Sequence, residues 1–261
     1  MLVDSHCHLT DRRYEGDRWE VLAQARAAGV EKILTICSDA DDTQRVEDLL
    51  RDSSEKEGIP ELWGTSGIHP HEAETTASSD MARIRQVAET NPRVVAVGET
   101  GLDFFYDNSP REVQEALFRA HLELSEALDL PVVVHSRDAD ELTGQILRDW
   151  SGRVRGVLHC FTGGKELLTT ALDLGWMISL TGIVTFKNYD GQELVRSIPR
   201  DRLMTETDGP YLAPTPFRGH RNVPAYVARV VEELAAIRGE TPDELANYTA
   251  GNAVRFFRME N

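Results

Sequence analysis

Residues 94–134 read VVAVGETGLDFFYDNSPREVQEALFRAHLELSEALDLPVVV, and this stretch decides the architecture. It opens on one apolar run, Val94 to Val97, and closes on another, Val132 to Val134. Neither run alternates apolar with polar residues, so each reads as a strand buried on both faces, the habit of parallel sheets. Between them, Ser109-Pro110-Arg111-Glu112 reads as a capping box with proline at the first helical position. Val113, Leu117, Leu124 and Leu128 then line one side at helical spacing, and Leu130-Pro131 ends the helix just before the second run.

The same rhythm extends in both directions. Further apolar runs stand at Leu2-Val3, Lys32 to Ile36, Leu62 to Gly67, Val154 to Leu158, Trp176 to Leu180 and Leu203 to Thr205. Trp19 to Ala28 reads as a helix stopped by Gly29, and Thr241-Pro242-Asp243-Glu244 repeats the helix-start signal. Eight strand–helix units predict a single (β/α)8 TIM barrel over residues 1–261. An open doubly wound sheet would carry G-x-G-x-x-G after its first strand, and none is present.

Composition narrows the function classes. Lys plus Arg number 28 against 44 Asp plus Glu, a net charge of −16, which excludes a broad basic surface for duplex DNA or anionic lipid. A small site where metal cations supply the positive charge stays open. No apolar run approaches a membrane span, and the start MLVDSH lacks the n- and h-regions of a signal peptide. Cys7, Cys37 and Cys160 are too few and scattered for a disulfide framework. The expectation is a cytoplasmic protein with no membrane partner and no obligate protein partner.

In such a barrel the chemistry sits at the C-terminal ends of the strands. Those ends read Asp4-Ser5-His6-Cys7-His8, Gly67-Ile68-His69-Pro70-His71, Gly98-Glu99-Thr100-Gly101-Leu102-Asp103, His135-Ser136-Arg137-Asp138, His159-Cys160-Phe161-Thr162-Gly163 and Glu206-Thr207-Asp208-Gly209-Pro210. Six of the eight histidines fall there. In an extended strand His6 and His8 point to one side, ready to ligate a metal, while Cys7 points the other way as a packed thiol. One His-x-His pair alone arises by chance in roughly a quarter of chains of this length and composition. The ordered series of His, Glu, His, His and Asp, each after its own apolar run, does not. His121 lies inside the predicted helix after Ser109 and reads as structural.

These motifs carry a resemblance. DSHCHL, SGIHPH, VGETGLDF, PVVVHSRDA, LHCFTG, GIVTFKN, ETDGPYLAP and GNAVRFF occur in an order that resembles the TatD family of metal-dependent deoxyribonucleases, within the amidohydrolase-type barrels. The resemblance implies phosphodiester hydrolysis at a centre of one or two divalent metals (Mg, Mn or Zn). It implies His6 and His8 as ligands from the first strand, Glu99 as the bridging carboxylate, His135 and His159 at a second metal position, and Asp208 completing the site. Related amidohydrolases often bridge with a carboxylated lysine; no lysine lies between Lys56 and Lys165, which excludes that variant at strand four. Four histidines favour Zn, Mn, Ni or Co over Mg on ligand softness. Asp208 is read as both ligand and general base, and Glu99 as the second catalytic carboxylate.

Substrate contacts are expected from His69, Arg137 and Arg221, with Lys187 a weaker candidate. Arg137 is read against the alternative of an ion pair with Asp103 or Asp138. Phe104, Phe105 and Tyr106 either stack an unpaired base or anchor a loop. The loop Phe217 to Pro224, FRGHRNVP, departs from the family's usual Arg-Gly-Lys-x-Asn-Glu/Gln-Pro, with His220 at the lysine and Val223 at the Glu/Gln. The function expected is 3′–5′ exonuclease action on DNA ends or single strands, with a DNA-repair role. The alternatives are a small-molecule amidohydrolase or lactonase, and an ester hydrolase acting on aminoacyl-RNA.

Overall fold

The apolar runs pair in strict sequence order. The computed structural model describes residues 1–260. Its eight parallel strands are β1 (Leu2–Cys7), β2 (Val30–Thr35), β3 (Glu61–Ser66), β4 (Val94–Asp103), β5 (Val132–Arg137), β6 (Gly156–Leu158), β7 (Met177–Leu180) and β8 (Leu203–Thr205). Each hydrogen-bonds to the next. A parallel bridge between Cys7 and Gly209 brings the end of β8 back to β1, with His8 N donating to Gly209 O at 2.7 Å and Asp208 N to His6 O at 2.9 Å. The result is a TIM barrel.

Around it run α1 (Arg18–Ala27), α2 (Ala40–Ser53), α3 (Ser78–Thr90), α4 (Arg111–Leu128), α5 (Asp140–Asp149), α6 (Lys165–Asp173), α7 (Gln192–Ser197), α8 (Val227–Arg238) and α9 (Pro242–Phe257). No helix among the described residues is long and apolar enough to cross a membrane.

One interior cluster takes a side chain from every strand: Val3, Leu34, Trp63, Val95, Val133, Val157, Met177 and Met204. Phe257 and Met259, at and beyond the end of α9, complete it and plug the barrel at its N-terminal end. The expected capping box at the start of α9 is made: Thr241 N donates to Glu244 Oε2 at 3.1 Å, and Glu244 N to Thr241 Oγ1 at 3.3 Å.

The box expected at Ser109 is not made. Pro110 is the N-cap of α4, without a side-chain cap. The Ser109 hydroxyl instead donates to His71 O at 2.9 Å and accepts from Glu74 N at 3.1 Å, tying down the turn after β3. Val113 is exposed while Leu117 and Leu124 are buried, so the apolar face of α4 begins one turn later than its periodicity suggested.

The runs also understate several strands. β1, β4 and β5 continue through their polar residues to Cys7, Asp103 and Arg137. His6, Glu99 and His135 therefore lie within strands: His6 and Glu99 at irregularities in the ladders of β1 and β4, and His135 in register with Gly101 of β4. Glycine is required beside Glu99. Gly98 and Gly101 have φ of +129° and +131°, and a Cβ there would lie 2.6 Å from Val133 O and 2.0 Å from His135 O.

Candidate metal centre

Strand alternation brings His6 and His8 to one side of β1, with their Nε2 atoms 3.2 Å apart. Cys7 faces away, fully buried, with Sγ 3.5 Å from Gly209 O. Glu99, raised from β4 between its glycines, meets both imidazoles: its Oε2 is 3.4 Å from His6 Nε2 and 3.5 Å from His8 Nε2. Asp208, just beyond β8, closes the group from the opposite wall, its Oδ1 3.6 and 3.5 Å from the same two nitrogens. The other oxygen of Glu99, Oε1, faces a second group: His159 Nε2 at 2.7 Å, His135 Nδ1 at 3.2 Å and His69 Nε2 at 3.6 Å. His6 and His159 stack between the two groups at 3.9 Å.

This arrangement fits divalent cations. Ligands at about 2.1 Å on a tetrahedral ion lie roughly 3.4 Å apart, and the separations of the His6 and His8 Nε2 atoms from each other, from Glu99 Oε2 and from Asp208 Oδ1 span 3.2–3.6 Å. Glu99 Oε2 and His6 Nδ1 are buried without a hydrogen-bond partner. A buried carboxylate oxygen left this way is costly unless a cation meets it. Burial by itself raises the Glu99 carboxyl, but the neighbouring imidazoles, His159 first, outweigh it and hold it well below the usual carboxylate range. Asp208 behaves alike: burial raises it, and His8, His6 and His159 bring it down.

Outer partners fix the rings. Asp103 Oδ2 lies 3.0 Å from both His135 Nε2 and His71 Nε2, while its Oδ1 accepts from Phe105 N and Tyr106 N. Burial raises this carboxyl, yet its donors, His135 first, keep it ionised and well below its ordinary range. It can then only accept, so His135 carries a proton on Nε2, and the ring is held with its Nδ1 facing Glu99. Glu206 Oε1 similarly lies 3.2 Å from His159 Nδ1 and accepts from Cys160 N at 2.7 Å. Asp103, Glu206 and His71 were not in the sequence-derived site. The available signal was the two-residue period: Glu99 with Asp103 on β4, and Glu206 with Asp208 after β8.

The remaining sequence candidates separate. His69 Nδ1 accepts from His71 N at 3.2 Å. A neutral ring so engaged carries its proton on Nε2, and burial pushes the His69 pKa well down, so the ring is neutral. His69 therefore presents an N–H donor beside Glu99 rather than a lone pair. Arg137 makes no ion pair with Asp103 or Asp138; its guanidinium lies over the rings of Phe105 and Tyr106 at 4.0 and 4.8 Å. Arg221 stands apart from these. It is held in a two-pronged ion pair with Asp17, at 2.8 and 2.6 Å, and does not line the cavity over the metal centre. Lys187 and His220 are exposed and likewise stand outside that cavity. His121, buried, accepts from Ile68 N at 3.0 Å and donates to Leu117 O at 2.8 Å, a structural histidine. The cavity itself holds about 790 Å³ above Glu99.

A barrel with convergent imidazoles and carboxylates at its mouth defines a metal-dependent hydrolase. The profile of the TatD-related DNase family matches residues 3–258. A Bacillus subtilis protein described as the uncharacterized metal-dependent hydrolase YabD is 38% identical over 99% of this chain and 100% of its own length. A Rahnella protein described as the 3′-5′ ssDNA/RNA exonuclease TatD is 38% identical over 97% of this chain and 96% of its own. The crystal structure of the Escherichia coli TatD homologue YjjV superposes with a TM-score of 0.90 at 30% identity, covering 98% of each chain. The chain belongs to the TatD-related DNase family and is a metal-dependent hydrolase.

Proposed function

We propose that the enzyme hydrolyses phosphodiester bonds, removing nucleotides from the 3′ end of single-stranded DNA, with trimming of ends during DNA repair as its role. The observation that carries this reading is Glu99, whose two oxygens each face a separate group of imidazoles below one open cavity. The resemblance to the Rahnella exonuclease over nearly the whole chain supports the substrate class.

His6, His8, Glu99 and Asp208 would hold one divalent cation, and Glu99, His135 and His159 a second. Such cations, when bound, supply Lewis acidity that lowers the pKa of water and screens phosphate charge. Asp208 stays ionised and accepts the proton of the attacking water. His69 donates its Nε2 proton to a phosphate oxygen, and Arg137 pairs with the phosphate from the β5 side. Because Arg221 is neutralised by Asp17, positive charge at the mouth is confined to a small area. The reading therefore expects short-contact binding with a shallow salt dependence. The free thiols of Cys7, Cys37 and Cys160 support a reducing compartment, the cytoplasm.

The test is digestion of end-labelled single- and double-stranded oligonucleotides by metal-supplemented protein, with EDTA as control. The expected result is a ladder shortening from the 3′ end of single strands, abolished by EDTA. Turnover of lactones or aminoacyl-RNA, with oligonucleotides left intact, overturns it.

A further inference from the structure

Large apolar side chains left in solvent need a reason, and here the aromatic ones share one. Among the described residues the exposed aromatic side chains are Phe105, Tyr106 and Tyr211, at 55%, 56% and 46% exposure. All three line the cavity over Glu99. Phe104, next to them in sequence, is instead partly buried against the core under Arg111, a loop anchor.

Phe105 and Tyr106 follow β4, while Tyr211 follows β8. In a barrel whose strands run in order from β1 to β8, these strands stand on opposite rims. Each rim is backed by a guanidinium. Arg137 lies over Phe105 and Tyr106, and Arg13 lies over Tyr211 at 4.2 Å. Each is also anchored to the centre. Asp103 accepts the backbone N–H groups of Phe105 and Tyr106 at 3.0 and 2.9 Å, and Tyr211 N donates to Asp208 O at 2.9 Å. The ring of Tyr211 meets that of His8 edge-on at 5.8 Å.

We propose that these two arginine-backed platforms each stack one unpaired nucleobase, so that a strand crosses the mouth with its scissile phosphate above Glu99 and a base on either rim. The inference rests on the nuclease reading and adds to it the residues that select unpaired strands. Stacking on an aromatic face is tolerant of base identity, because every base has such a face. A base inside a duplex must first leave its stack and its partner to reach either rim. On the β4 rim Arg137 also adds positive charge where a flanking phosphate passes; on the β8 rim Arg13 is paired with Asp11 at 2.9 and 2.8 Å and serves to hold the Tyr211 ring.

The experiment uses metal-supplemented protein and single-stranded oligonucleotides that are complete or carry an abasic residue on one side of the scissile linkage. Binding is read separately, by anisotropy of a strand with a non-cleavable methylphosphonate there. In the wild type, removing either base weakens binding and raises KM about tenfold. In Tyr211→Ala, the discrimination against the abasic residue on one side collapses to about onefold. In Phe105→Ala/Tyr106→Ala, it collapses for the other side. Tyr211→Phe, which keeps the ring, restores it. All these positions are exposed, so the fold is not at stake. If discrimination persists unchanged in the alanine variants, the platforms are overturned while the nuclease reading stands. If wild type neither binds nor cleaves the complete strand, the nuclease reading itself falls.

Discussion

At the N-terminal end of the barrel, Phe257 and Met259 press into a layer drawn from all eight strands, and every member is apolar. At the C-terminal end the same strands present imidazoles and carboxylates 2.7–3.6 Å apart, with buried polar atoms left unpartnered. One end follows the rule of dense apolar packing, with the Trp63 indole N–H in that layer left without a partner; at the other the unpartnered atoms are those of an imidazole and a carboxylate, His6 Nδ1 and Glu99 Oε2, against the rule that buried polar groups are hydrogen-bonded. The contrast shows how a barrel tolerates a strained centre: stability comes from the plug and from the strand–helix layers, and the mouth is free to hold charge that only a ligand relieves.

The largest effect expected is at the mouth. Glu99→Gln lowers kcat/KM by on the order of 10³-fold or more, about 4 kcal/mol, and the metal-free protein also melts lower, since the imidazoles that hold Glu99 ionised lose their partner. Steady-state kinetics with thermal unfolding checks both halves, and retained activity removes Glu99 from the centre. Phe257→Ala should cost about 3–4 kcal/mol of stability while leaving kcat near wild type at low temperature. Denaturant titration measures the first, and a matching loss of kcat would show that the ends are not independent.

His121 sharpens the comparison through pH. Burial lowers its pKa to about 4. The unfolded chain, with histidine near its ordinary 6.5, then binds more protons between those values, so stability falls as pH drops through that window, by up to about 3 kcal/mol. Denaturant midpoints from pH 7 to 4 should show the fall, with a shallower slope in His121→Gln. The smallest effects separate two arginines, one lining the cavity and one outside it. Arg137→Ala raises KM for oligonucleotides about tenfold, whereas Arg221→Ala changes it less than about twofold, its guanidinium being committed to Asp17.

Much of this was legible because chemistry and fold share one period. Apolar runs located the strands, and the residues just after each run named His6, His8, Glu99, His135, His159 and Asp208, which the structure brings together. What was not legible depended on side-chain direction. Ser109 has the capping sequence but a competing partner in the turn after β3. Arg221 lies in a loop whose path sets it against Asp17, a residue far away in sequence. Asp103 was in view at the end of β4, yet its bond to His135 requires the β4–β5 register, in which it sits beside Arg137.

The bridge between Cys7 and Gly209 has a consequence for how the molecule is made. His6 and His8 are among the first residues a ribosome releases, and Asp208 emerges only after all eight strands have been synthesised. The plug at Phe257 follows later still. During synthesis the first strand must therefore wait, with its apolar face and its imidazoles uncovered, for a neighbour encoded near the far end of the chain. Contacts of such separation form slowly and leave partly built sheets open to wrong pairing. Nascent chains halted before residue 209 are the form of this protein in which aggregation and premature capture of metal by lone histidines should concentrate.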